Sequence, residues 1–265
     1  MNSTSPTAAP RVALVLPARN EEEPLPLVLG EVPEGRVDVI VVCDNGSTDR
    51  TAEVARRAGA VVVSEPTPGY GRACLAGLDF LFGRGPDAGL SPPLGEGDIV
   101  CFLDADHSDY PEELPLLVDP LLEGRADFVI GSRVLGGADM SALLPQAWFG
   151  NRLACFLMRA LFGARYTDLG PFRALTVAAL RTLEMGDKDF GWTIEMQLKA
   201  HAHRLRVLEV PVRYRPRIGH SKITGTVSGS LRAGAKILGW IFAWRLKTWF
   251  SAPGERPRGS DSRSR

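Results

Sequence analysis

Two carboxylates spaced two residues apart, Asp104 and Asp106, close an apolar run in Ile99 to Pro111, IVCFLDADHSDYP. Carboxylates at such a place suit a hard divalent cation, which prefers oxygen ligands and bridges the oxygens of a diphosphate. The same residues also suit an Asx turn and a helix cap before Pro111. Three further polar stretches follow apolar runs upstream: LPARNEEEP, CDNGSTDRT and PTPGYGRACLAGL. Downstream, basic residues recur in Gly131-Ser132-Arg133, in DLGPFR ending at Arg173, and in Arg213 to Lys222, RYRPRIGHSK. Arginine meets phosphate through a planar fork and lysine adds a point charge. Any one of these stretches reads as a solvated basic loop, whereas three together are harder to dismiss as such.

Glu195, in FGWTIEMQLKA, has two readings. It is either a base that takes a proton from a hydroxyl acceptor or a carboxylate that holds a loop by accepting backbone N–H groups. A phosphate acceptor is already ionised near neutral pH, so the arginine-rich pattern favours the second role. His201 and His203, two positions apart on a helix, point in nearly opposite directions and make no zinc pair.

These residues need elements to bring them together. Apolar runs without alternation, at Val12 to Pro17, Val37 to Asp44, Ala60 to Ser64, Asp98 to Asp104 and Asp127 to Ser132, predict strands covered on both faces. Helices are expected at Glu21 to Gly30, Thr48 to Ala58, Gly71 to Phe82, Pro111 to Glu123 and Gln146 to Leu161. Gly83 to Gly97 reads as a loop. A helix at Trp192 to His203, a basic strand at Leu205 to Tyr214 and a last helix at about Thr226 to Phe250 complete the chain. Strands alternating with helices give an α/β fold, a mostly parallel sheet flanked by helices. Ligands of such sheets bind beyond the carboxyl ends of the strands, where the polar stretches fall.

In order and spacing, these motifs resemble those of family 2 glycosyltransferases with the GT-A fold, most closely the dolichol-phosphate and polyprenyl-phosphate mannosyl- and glucosyltransferases. The resemblance covers about residues 11 to 225. It implies an inverting transfer of a hexose, mannose or glucose, from a GDP- or UDP-sugar to a polyprenyl or dolichyl phosphate. Pro17, Arg19, Asn20, Glu21, Asp44 and Asn45 would then bind the donor, with Asp44 accepting from the base. Asn45 stands where the family often has a second Asp. Gly69, Gly71 and Arg72 match a Gly-rich turn in which small residues admit the ligand and Arg72 faces phosphate. Asp104 and Asp106 would hold Mg²⁺ or Mn²⁺. Ser108 replaces the frequent metal-assisting Gln, with His107 as a substitute ligand. Arg133 is expected among the catalytic residues and, with Arg173, Arg217, Ser221 and Lys222, at the acceptor phosphate. Two rival readings are a transferase to a glycan or small-molecule hydroxyl with Glu195 as base, and a degenerate nucleotide-sugar-binding or membrane scaffold protein.

The charges agree with two partners. The 265 residues carry 31 basic and 31 acidic side chains, yet residues 1–200 hold 17 basic and 28 acidic, and residues 201–265 hold 14 and 3. A positive end of this kind suits an anionic partner. Nucleic acid ranks last, because the basic segment has no recognised module. VSGSLRAGAKILGWIFAWRLKTWF (227–250) combines Trp240, Phe242, Trp244, Trp249 and Phe250 with Arg232, Lys236, Arg245 and Lys247. It is expected to lie in a membrane interface, with WFGNRLACFLMRALF (148–162) as a second apolar surface. Packing on the catalytic domain or a homodimer contact would serve these helices as well. The uncharged run Ile237 to Trp244 is too short to span about 30 Å of hydrocarbon. Four dispersed cysteines without a CxxC pair suit a reducing compartment, and residues 1–10 lack the pattern of a secretory signal. The expected organisation is a disordered 1–10, one GT-A domain at 11–225, an interfacial helix at 226–250 and a disordered tail at 251–265, peripheral on the cytoplasmic membrane face.

Overall fold

A strand made of consecutive Val, Ile and Leu leaves neither face to water, so each predicted run requires helices on both sides of the sheet. The computed structural model describes residues 9–84, 89–138, 145–219 and 227–250, with side chains of the last segment from 234 to 246. Ser221, Lys222 and the terminal segments 1–8 and 251–265 lie outside the described residues. The strands are β1 (Val12–Ala18), β2 (Val39–Asp44), β3 (Val61–Ser64), β4 (Ile99–Phe102), β5 (Phe128–Ser132), β6 (Arg173–Thr176) and β7 (Val207–Pro211). The α-helices are α1 (Leu25–Gly30), α2 (Thr51–Arg57), α3 (Tyr70–Leu81), α4 (Leu114–Leu122), α5 (Pro145–Phe162), α6 (Val177–Leu183), α7 (Trp192–Ala202) and α8 (Val227–Phe250).

The seven strands lie in the order β3-β2-β1-β4-β6-β5-β7. All run the same way except β6, which is antiparallel to both β4 and β5. Register makes the loops converge. Ala18 pairs with Asp44, so β1 and β2 end level, while β4 ends at Phe102 opposite Val15, three residues earlier; all three release their polar stretches at the same edge.

One face of the sheet packs Leu14, Leu16, Leu103 and Phe172 against Leu25, Leu114 and Leu117 of α1 and α4. The other packs Val15, Phe102 and Phe128 against Cys74 and Leu78 of α3, Leu180 of α6 and Trp192 of α7. α5 and α8 add a third layer on α7 through Met158, Ile194, Leu198 and Ile241.

Several boundaries move for identifiable reasons. α2 begins at Thr51 rather than Thr48, because the Thr48 N–H donates to Asn20 Oδ1 (2.7 Å) and the Arg50 N–H to Glu22 Oε2 (2.9 Å). Side chains from the loop after β1 thus hold residues 48–50 in the turn that precedes the helix. β6 and α6 are absent from the expected set. Four residues, RALT, that begin with arginine carry no strand signature, and only pairing with β4 and β5 makes them one.

Candidate active site

The loops released at the carboxyl edge enclose a cleft of about 190 Å³ lined by Pro17, Arg19, Glu21, Asn45, Tyr70, Asp104, Asp106, Asp189, Phe190 and Arg217, among others. Seven of these ten are residues expected at the site, drawn from four separate stretches of sequence. Arg19 is exposed at the rim and Glu21 is buried.

Asn45 explains its own departure from the family pattern. Its Nδ2 donates to the carbonyls of Glu65 (2.9 Å) and Thr67 (2.8 Å), and its Oδ1 accepts the Gly69 N–H (2.8 Å). A carboxylate only accepts and could not serve both carbonyls. Asn45 thus ties the loop after β2 to the loop after β3. Asn20 does the same between β1 and β2, at φ 54°, donating its N–H to Ser47 Oγ (2.9 Å). Asp44 Oδ1 accepts the Ser47 N–H (3.1 Å), an Asx turn at the end of β2. Asn20 and Asp44 shape the wall behind the cleft lining.

The two carboxylates of the DAD segment sit in different surroundings. Asp104 Oδ1 accepts the Tyr70 hydroxyl (3.0 Å), and burial raises its pKa against the opposing pull of Arg217. Burial likewise lifts the Tyr70 phenol well above its usual range, which keeps it a donor. Asp106 is 2 % exposed; its Oδ1 accepts the Ser108 N–H (3.0 Å) and its Oδ2 forms an ion pair with Arg217. Arg217 arrives there because residues 215–218 pack along the DAD loop, with the Arg215 N–H on the Ser108 carbonyl (2.9 Å) and the Ile218 N–H on the Asp106 carbonyl (3.1 Å). Arg213 and Arg215 hold that segment from outside, pairing with Glu112, Glu113 and Glu31 and stacking on Tyr110 at 4.1 and 4.2 Å.

The donor set suits a hard divalent cation: two carboxylates, with a guanidinium standing in as the cation on one of them. Among the described residues no group of three His, Cys, Asp or Glu is assembled for a metal. His107 is not a third ligand, because its Nε2 lies 2.9 Å from Glu31 Oε1. A cation here would complete its shell with ligand oxygens and water.

Other expected residues are taken elsewhere. Arg133 does not line the cleft: its Nε and Nη2 form a fork on Asp168 (2.8 and 2.7 Å) and its guanidinium lies 5.0 Å from the Tyr214 ring centroid. Arg173 is 0 % exposed; it donates to the carbonyls of Leu169 (3.2 Å), Gly170 (3.1 Å) and Thr193 (3.2 Å), and burial lowers its pKa to about 10. It staples the 169–170 turn to α7 and corrects the expectation of a phosphate clamp. Arg72 lines a second cavity beside β3, with Glu65, Asp79 and Lys188. Gly71 is small for a different partner than expected, since a Cβ there would overlap the Asp187 carbonyl. Glu195 accepts N–H groups of Gly186 (3.0 Å) and Asp187 (2.7 Å) and pairs with Lys199 (2.8 Å), so it holds the loop before α7 and lies outside the cleft lining.

Three lining residues had no signal of their own. Tyr70, between two glycines at a helix start, reads as an ordinary aromatic. Asp189 and Phe190 lie in the 184–191 loop, whose position depends on the unforeseen α6. Asp109 is also new: it is 2 % exposed, with no hydrogen-bond partner on either oxygen among the described residues, and burial, aided by the charge of Asp104, pushes it up to about 8.

Residues 13–179 match the model of Glycosyl transferase family 2. Over 232 residues the chain is 38% identical to an uncharacterized glycosyltransferase of Mycobacterium tuberculosis, covering 85% of this chain and 95% of that one. It is 31% identical over 254 residues to an undecaprenyl-phosphate mannosyltransferase of Micrococcus luteus, covering 89% and 96%. Among solved structures, the glucosyl-3-phosphoglycerate synthase of M. tuberculosis, in complex with Mn²⁺, UDP and glucosyl-3-phosphoglycerate, superposes with a TM-score of 0.67 at 25% identity, over 88% of this chain and 80% of that one.

Proposed function

The chain belongs to glycosyl transferase family 2, and we propose that within it this protein moves a hexose, mannose or glucose, from a GDP- or UDP-sugar to a polyprenyl or dolichyl phosphate with inversion. The observation that carries this reading is the meeting of Asp104, Asp106 and Arg217 in one cleft that Pro17, Arg19, Glu21 and Asn45 also line. The polar end by Arg19 and Asn45 takes the nucleoside. Asp104 and Asp106 would hold Mg²⁺ or Mn²⁺, which would supply positive charge to the leaving diphosphate. Tyr70 keeps Asp104 in place through its hydroxyl. Arg217, 30% exposed, is the cation on the acceptor side of the cleft; Ser221 and Lys222 extend that basic segment in sequence.

An oxygen of the acceptor phosphate attacks the anomeric carbon from the face opposite the diphosphate. The bond from that carbon to the diphosphate oxygen breaks, and the electron pair leaves with the nucleoside diphosphate. The attacking phosphate is already ionised, so no protein base is needed. The chain's contribution is positioning and electrostatic stabilisation.

A lipid acceptor also fits the outer layer. Phe149 and Phe156 on α5 and Phe242 and Leu246 on α8 are exposed, with Arg152 stacked on Trp148 at 4.7 Å. Among the described residues no helix is long and apolar enough to cross a membrane, so the proposed attachment is peripheral.

A second reading follows from the likeness to the phosphoglycerate-glucosylating enzyme, namely transfer to the hydroxyl of a small phosphorylated acid. In that reading the base is Asp189, which lines the cleft, rather than Glu195. Incubation with radiolabelled GDP-mannose or UDP-glucose, Mn²⁺ and either undecaprenyl phosphate or 3-phosphoglycerate tests both. Label extracted into organic solvent is expected. Label confined to a water-soluble product supports the second reading, and no donor turnover under any condition supports a non-catalytic scaffold.

A further inference from the structure

The 184–191 loop joins two regions that the chemistry keeps apart. Asp187, whose carboxylate is 3% exposed, uses Oδ1 to accept the N–H groups of Asp189 (2.7 Å) and Gly191 (3.0 Å). Its Oδ2 accepts the indole N–H of Trp240 on α8 (2.6 Å) and pairs with the Lys236 ammonium at 3.2 Å. From the same loop, the carbonyls of Lys188 and Asp189 accept the N–H groups of Arg72 (3.1 Å) and Gly71 (3.2 Å), in the first turn of α3. Tyr70 in that turn donates to Asp104. The joints have no slack, because a Cβ on Gly71 would overlap the Asp187 carbonyl and one on Gly191 would overlap the Trp240 indole.

We propose that Trp240 and Lys236 are positioning residues for glycosyl transfer. By holding Asp187 they set the cleft wall made by Asp189 and Phe190 and, through the first turn of α3, the attitude of Tyr70 at Asp104. A site held within a fraction of an ångström depends on supports of this kind, and displacements of about 1 Å cost roughly 10²-fold in rate. The indole is the larger contributor. Its N–H meets a buried carboxylate, where a charge-assisted bond is strong, whereas Lys236 is 42% exposed and its pairing is screened. The inference rests on the cleft's being the donor site and holds for either acceptor.

The full chain and its Trp240→Phe, Lys236→Met and Lys236→Arg variants are titrated calorimetrically with UDP-glucose and with GDP-mannose, each with Mn²⁺, and melted in parallel. For the donor that the wild type binds, affinity is expected to fall about tenfold in Trp240→Phe and about two- to threefold in Lys236→Met, and to be kept in Lys236→Arg. A clamp that is only structural lowers Tm and leaves the affinity of the folded fraction unchanged; that result overturns the proposal. If Trp240→Phe does not fold, the Met and Arg variants at 236 decide by the same criterion. Binding of neither sugar by the wild type overturns the donor-cleft reading and this inference with it.

Discussion

The two halves of the sheet treat their charged residues differently. On the β3-β2-β1-β4 side, the polar stretches after β1, β2 and β4 send Arg19, Glu21, Asn45, Asp104 and Asp106 into one cleft. On the β6-β5-β7 side, Arg133 and Arg173 turn inward to Asp168 and to backbone carbonyls, and among the described basic residues of that side only Arg217 reaches the cleft. The difference follows from the partners each charge meets, since Arg133 succeeds β5, which runs with β1 and β4, and is nevertheless taken by Asp168. Parallel strands present the same end at the same edge, so whatever follows them is delivered together. β6 runs the other way, and Arg173 opens it paired with Phe102 inside the sheet. A guanidinium in that position must find acceptors within the protein.

The largest test of this contrast is Asp106→Ala. Loss of a carboxylate from the delivered set should lower donor turnover by about 10²–10³, with Tm nearly unchanged in a calorimetric scan. Arg173→Met should do the reverse. It leaves three buried carbonyls without their donors and should cost about 2–4 kcal/mol of stability in denaturant titration, while the surviving folded fraction keeps its donor affinity. Strong activity loss with full stability would return Arg173 to the acceptor site.

Arg217→Ala should sit between these, lowering transfer to acceptor by about 10- to 100-fold and donor hydrolysis less, with some loss of stability because buried Asp106 loses its ion-pair partner. Tyr70→Phe keeps the ring and removes the hydroxyl on Asp104, so about a three- to tenfold loss of turnover is expected. If turnover is insensitive to that change, Asp104 needs no support from α3.

The smallest effect concerns Asp109, which lies between the two regions. Its raised folded pKa means that the native state binds a proton between about pH 4 and 8 that the unfolded chain has released. Stability from this group is therefore present below its unfolded pKa and declines as pH rises through that window to about 8. Asp109→Asn should flatten the decline and raise Tm by about 2–4 °C at pH 8 relative to wild type, with little change at pH 4. Parallel melting curves for the two proteins would reveal a buried anion instead.

Much of the cleft was legible because the residues that line it follow strands closely in sequence. The DAD segment, Arg19 to Glu21 and Asp44-Asn45 each follow a strand that its own apolar run announces. β6, α6 and the 184–191 loop were not legible. RALT has no alternating or continuous apolar pattern, and its strand state comes from partners some 45 and 70 residues away in sequence. Asp189, Phe190 and Tyr70 depend on that loop and were missed with it.

By itself the sequence determined the alternation of strands and helices, the pair of carboxylates at Asp104 and Asp106 and the asymmetry between an acidic body and a basic end, because hydrophobic periodicity and side-chain chemistry are properties of short stretches. Only the tertiary structure decided which basic residues meet the cleft. It matched Arg133 to Asp168 and left Arg173 among carbonyls, so those two charges were satisfied internally, while Arg217 was delivered to Asp106. The physical reason is desolvation: a buried charge takes the nearest partner that the fold supplies, and the identity of that partner lies far along the chain.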